Sequence, residues 1–92
     1  MQGKEKLDAL RAEIADRLEI PAGAVGIIKV TLSGHGNALI ENHRGLAAYS
    51  RERVEVNISD GRLRIDGEAL ELDAMDGDAL LVTGRILSVG FV

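Results

Sequence analysis

The chain has 92 residues, enough for one domain, and an apolar fraction of 46% that can build a thin core. Its net charge of −4 and its 2% of aromatic residues exclude the usual nucleic-acid binders, because there is no basic surplus to release counterions and no set of surface rings for bases to stack on. The lack of cysteine removes disulfides, thiolate nucleophiles and thiolate metal sites, and it fits a reducing cytoplasm.

Residues 1–20, MQGKEKLDALRAEIADRLEI, read as an amphipathic helix. Leu7, Leu10, Ile14 and Leu18 recur every three or four positions and form one apolar stripe, with charges of both signs on the other faces. Pro21 stops the helix, since the residue before a proline is pushed out of the α region. The stripe is expected to pack on a sheet. A membrane-surface anchor fits less well, because the polar face has no lysine surplus. The segment lacks the continuous apolar core of a signal peptide, and no run in the chain nears the roughly 20 apolar residues of a membrane span.

Residues 25–92 read as an antiparallel β-meander of 7 to 8 short strands, and with the helix they make a single mainly β (α+β) domain over 1–92. Ile28, Val30 and Leu32 alternate with Lys29, Thr31 and Ser33, which gives a strand with one wet side. The cluster Gly34-His35-Gly36-Asn37 turns the chain, Ala38 to Asn42 forms a second strand, and Leu46 to Ser50 a third. Val54, Val56 and Ile58 mark a fourth. Asp60-Gly61 then suits a two-residue hairpin turn, which would set Ile58 opposite Leu63 and Val56 opposite Ile65. Gly67-Glu68 predicts another reversal, with Ile65 opposite Leu70 and Leu63 opposite Leu72. Asp76-Gly77-Asp78 predicts a three-residue loop, with Ala74 opposite Leu80 and Leu72 opposite Val82. Gly84-Arg85 predicts a last turn into a terminal strand, Ile86 to Val92.

An apolar-x-apolar-x-small pattern ends at positions 34, 50, 67 and 84. One period equals one hairpin, as any even meander would show; the alternative is a β-solenoid with one rung per period. A one-face-apolar meander cannot stay flat and open, so closure as a rolled sheet, small barrel or sandwich is expected. The terminal strand carries no charge after Arg85, and at a sheet edge it would be open to pairing with another chain.

The densest chemistry lies in Glu41-Asn42-His43-Arg44-Gly45. His43 and His35, with Glu41, could in principle supply metal ligands across one hairpin. The residue types favour a polar corner instead: asparagine and histidine tolerate unusual φ, and Gly45 supplies positive φ. The four serines described by Ser33, Ser50, Ser59 and Ser88 have no nucleophile-elbow context, and Asp76-Gly77-Asp78 is too sparse for a calcium loop. No phosphate-binding glycine loop is present, so no catalytic, cofactor or metal residues are assigned. The five corner residues stand as a candidate structural or recognition site.

The run Ile40-Glu41-Asn42-His43-Arg44-Gly45, with Tyr49 after it and the hairpin series NISDGRLRIDGEALEL, resembles the YabP/YqfC family of bacterial sporulation proteins, the YqfC-like branch most closely. The resemblance covers roughly residues 20–91. It departs from the family at Ala47-Ala48, where a bulkier apolar pair is expected, and in the looser stretch Gly23 to Gly26. It implies a non-enzymatic protein of endospore formation, without cofactor or small-molecule substrate. The implied partner is a protein, a membrane protein of the same programme. The implied place is the mother-cell cytoplasm, peripheral to a membrane through that partner. The alternative is a self-assembling scaffold, a homo-oligomer paired through edge strands.

Overall fold

The structure, a computed structural model, describes Lys6, Leu7, Ala9 and residues 26–92. The expected helix over 1–20 lies outside the described residues, apart from those first three. Six strands follow: β1 (Lys29–Ser33), β2 (Asn37–Glu41), β3 (Leu46–Tyr49), β4 (Arg53–Ile58), β5 (Gly61–Met75) and β6 (Ala79–Phe91). They form one sheet in the order β1-β2-β6-β5-β4-β3, and every pairing is antiparallel. The mainly β, antiparallel expectation holds. The solenoid does not, because no strand pair among the described residues is parallel.

The strand count is corrected from 7 to 8 down to six, for a specific reason. Gly67-Glu68 and Gly84-Arg85 are not reversals but bends inside two long strands, β5 and β6. Leu63 therefore pairs with Phe91 and Ile65 with Val89, rather than with Leu72 and Leu70. Each glycine is needed because the partner strand comes too close for a side chain. A Cβ on Gly67 would run into the Arg85 carbonyl oxygen, and one on Gly84 into the Ala69 carbonyl oxygen. Gly84 also holds φ +121°, and Ala69 beside it holds φ +51°. Register shifts on both sides of this point mark β-bulges, which bend a strand and raise its twist.

Other registers differ less. The β4–β5 hairpin pairs Ile58 with Gly61, Val56 with Leu63 and Val54 with Ile65. Its turn is thus Ser59-Asp60, which leaves the expected faces unchanged because the slip is an even number of residues. The Asp76-Gly77-Asp78 loop and the Leu72–Val82 pair stand as expected, while a bulge moves Ala74 opposite Leu81.

The sheet does not close as a barrel or sandwich; β1 and β3 are its two ends. It folds across the β5–β6 ribbon instead. Ala38 and Ile40 of β2 share one buried cluster with Val54, Val56 and Ile58 of β4, although two strands separate β2 from β4 in the sheet. Two halves of a single sheet thus face each other, and this supplies the burial that closure would have supplied. The bend in β5 is wrapped by the β3–β4 loop. Gly67 N–H donates to the Glu52 carbonyl (3.0 Å), and Leu70 N–H to the Arg51 carbonyl (2.7 Å). The Tyr49 hydroxyl donates to the Leu70 carbonyl at 3.1 Å. These bonds satisfy backbone groups that the bulges take out of the ladder.

On the reverse face of the β2 half, Leu39, Ala74, Ala79 and Leu81 form a second buried cluster with Leu7. Lys6 forms an ion pair with Asp73 at its rim. Leu7 of the anticipated stripe therefore does pack on the sheet.

The bend generates a prediction. Gly67→Ala and Gly84→Ala should each destabilise the protein by about 1–3 kcal/mol or more, the range for forcing atoms into packed space. Gly77, with nothing within 4 Å of a built Cβ, serves as the comparison; Gly77→Ala should stay within about 0.5 kcal/mol. Chemical denaturation measures all three, and equal losses at 67, 77 and 84 would contradict the bend.

Candidate functional site

β2 ends at Glu41 and β3 begins at Leu46, so residues 42–45 carry the chain between them. These strands are not neighbours. In a flat sheet, four spacings of about 4.8 Å would separate them, nearly the full reach of the linking residues. The link is instead a compact corner. Asn42 takes φ +66° and Gly45 φ +108°, the two positions at which the residue types allow left-handed backbone.

Nearly every polar group of this corner turns inward. Asn42 N–H donates to the Asp78 carbonyl (2.7 Å), and His43 N–H to the same oxygen (3.3 Å). The Asn42 side-chain amide donates to the Ile27 carbonyl at 2.8 Å. On the other side, Arg44 N–H donates to the Asn57 carbonyl (2.7 Å), and Asn57 N–H to the Gly45 carbonyl (2.8 Å). One short segment thereby ties the approach to β1, the β5–β6 loop and β4 together.

His43 is buried at 6% exposure. Its Nδ1 accepts the Gly45 N–H at 3.0 Å, and its Nε2 lies 3.1 Å from the Asp76 carbonyl oxygen. The tautomer follows: Nδ1 bears the lone pair, and Nε2–H donates. Asp76 is itself fixed, because its Oδ1 accepts the N–H groups of Asp78 (2.9 Å) and Ala79 (2.8 Å). A metal or a substrate proton would have to displace these bonds. His35 sits exposed in the β1–β2 loop, where its carbonyl accepts the Ile86 N–H at 2.8 Å. Among the described residues no three histidine or acidic side chains cluster as metal ligands. Glu41 is half-buried and engaged. Arg44 alone faces outward, exposed, its guanidinium without a partner among the described residues.

Asn57, Asp76 and Asp78, which hold the five corner residues, were not singled out with them. Asp76 and Asp78 did stand out as loop formers; nothing local marked Asn57, an ordinary strand residue whose importance is a long-range contact.

The sheet face beyond the corner carries an ion-pair ladder. Arg53 Nε donates to Asp66 Oδ1 at 2.7 Å, and Arg64 Nε lies 3.0 Å from Asp66 Oδ2. The Arg53 hydrogen bond, then the charges of Arg53 and Arg64, hold the Asp66 carboxyl below the usual carboxylate range against an opposing desolvation effect. The same pairing raises Arg53.

Two predictions follow from this geometry. His43→Ala removes the hydrogen bonds to the Gly45 N–H and from Nε2 to the Asp76 carbonyl and should cost about 1–3 kcal/mol; Gly45→Ala should cost about 1 kcal/mol or more through backbone strain. Arg44→Ala should stay within about 0.5 kcal/mol. Thermal and denaturant melts separate the three. For Asp66, the folded pKa lies below the unfolded one, so its contribution is present above about pH 4 and is lost as pH falls through the folded value. Asp66→Asn should be less stable than the wild type at neutral pH, and the gap should close on acidification; a gap that is constant with pH would contradict the assignment.

Comparison with known proteins adds the following. The YabP family model matches residues 26–92, which span all six strands. A relative from Bacillus subtilis (strain 168), named uncharacterized protein YqfC, is 28% identical over 89 residues, 96% of either chain. No solved structure matches.

Proposed function

This chain belongs to the YabP family, and from that premise we propose that it is a non-enzymatic protein of endospore formation that works through protein–protein contact. The observation that carries the reading is the division of labour in the corner. Asn42, His43 and Gly45 spend their polar groups on the fold, while Arg44 projects from that fixed base with its charge uncommitted among the described residues. A guanidinium held on a rigid turn loses little entropy on binding, and its planar fork suits a carboxylate. His43, on which a catalytic reading would have rested, has both ring nitrogens in internal hydrogen bonds.

The partner this implies is a protein that presents an acidic side chain to Arg44. The resemblance points to a membrane protein of the same programme, met from the mother-cell cytoplasm. No helix among the described residues is long and apolar enough to cross a membrane.

The test is genetic and biochemical together. In a spore-former that carries this gene at its own locus, Arg44→Ala and Arg44→Glu should lower heat-resistant spore counts while the protein keeps its abundance and melting temperature, with Arg44→Lys intermediate. Wild-type spore counts from both Arg44→Ala and Arg44→Glu would overturn the proposal.

A further inference from the structure

At Gly84 strand β6 parts from β2. Up to Thr83 it is paired on both sides, by β2 and by β5. From Arg85 to Phe91 the ladder continues with β5 alone, and on the other side only the Ile86 N–H meets a described partner, the His35 carbonyl at 2.8 Å. The bend thus opens a third edge inside the sheet, besides its ends at β1 and β3.

The direction of this edge can be read from one bond. Val92 N–H donates to the Arg62 carbonyl at 2.9 Å. Bonded and non-bonded pairs alternate in an antiparallel ladder, so residues 88, 90 and 92 turn their backbone groups toward β5, while Val89 and Phe91 turn theirs to the open side. The side chains of Val89 and Phe91 share the core face with Ile65 and Leu63, their register partners, both of which are buried. Phe91 is nevertheless 72% exposed. It borders an open groove of about 390 Å³ with an apolar lining of Ile27, Ile28, Ile58 and Val92. Backbone donors and acceptors without a partner among the described residues, an exposed aromatic ring and an apolar groove therefore coincide at one place, which is what strand addition requires.

We propose that this edge pairs with a second copy of the chain, β6 against β6 across a two-fold axis, with Phe91 of each copy seated in the groove of the other. A two-fold pairing sets a segment against itself, which is costly when the segment is charged. The side chains of Leu87 to Val92 carry no charge. The groove lining carries one acid and one base, Asp60 and Arg62, the latter 3.6 Å from Glu55 within its own chain and still half exposed, so that two copies bring opposite charges together across the axis. The contact does not use Arg44, so it stands or falls apart from the function proposed above.

Sedimentation of the full chain, from micromolar to near-millimolar concentration, should show a monomer–dimer equilibrium. Phe91→Lys should weaken it by roughly tenfold or more, the loss expected of a central aromatic anchor. Leu32→Lys, an exposed apolar position on β1, should leave it unchanged. Since the protein has no cysteine, oxidation of the single variants Val89→Cys, Gly90→Cys and Val92→Cys should trap a disulfide dimer at one or more of these positions. Ala48→Cys on β3 and Thr31→Cys on β1 should not. A monomer at every concentration, a dimer indifferent to Phe91→Lys, or crosslinks confined to β1 or β3 would each overturn the proposal.

Discussion

The hydrogen bonds that clamp residues 42–45 between Asp78 and Asn57 are the constraint on which the rest of the structure depends. They bind the first residues beyond β2 to the β5–β6 loop, and the last residues before β3 to β4. With those ends held together, a sheet whose order separates β2 from β3 by three strands cannot lie flat. The long β5–β6 ribbon must bend, and it bends where Gly67 and Gly84 let the two backbones approach. Once it bends, Ile40 and Val56 join one core, and a small chain buries its apolar residues without a second sheet. The corner acts here as a topological fastener, and its unusual composition is the chemistry that such a fastener needs: two residues that accept left-handed backbone, and one ring with a donor at one end and an acceptor at the other.

The parts of this fold that are legible in the amino-acid sequence are the local ones. The alternation of Val54, Val56 and Ile58, the strand at Ala38 to Ile40, and the loop at Asp76 to Asp78 are local patterns, and each stands in the structure. Gly67 and Gly84 were misread as turns because a glycine required by close backbone approach looks the same, residue by residue, as a glycine required by a reversal. The difference lies in what sits opposite, the Arg85 and Ala69 carbonyls, and no local rule reveals that. The Ser59-Asp60 turn was displaced by one residue yet preserved the faces, because an even slip costs nothing in hydrophobic pattern. Within the corner, the positive φ at Gly45 was readable from its neighbours; its anchorage to Asn57 was not.

The proposed function and the proposed self-pairing use two surfaces with different physics. At the corner, a buried network fixes the backbone so that one exposed guanidinium can act as a directed charge. At the seam opened by Gly84, backbone groups and an aromatic ring are left over by the same bend that builds the core. Membership of the YabP family fits a protein whose distinctive residues organise a surface, since the run that carries the family resemblance is the fastener itself.

Amide hydrogen exchange under native conditions, followed with increasing denaturant, tests the central claim most directly. If the corner holds the folded sheet together, the N–H groups of Asn42, Arg44 and Asn57 should exchange only through global unfolding, with the same denaturant dependence as Val56 and Ile65 in the core. Exchange of those three amides at the rate of an open loop, while Val56 and Ile65 stay protected, would contradict the account.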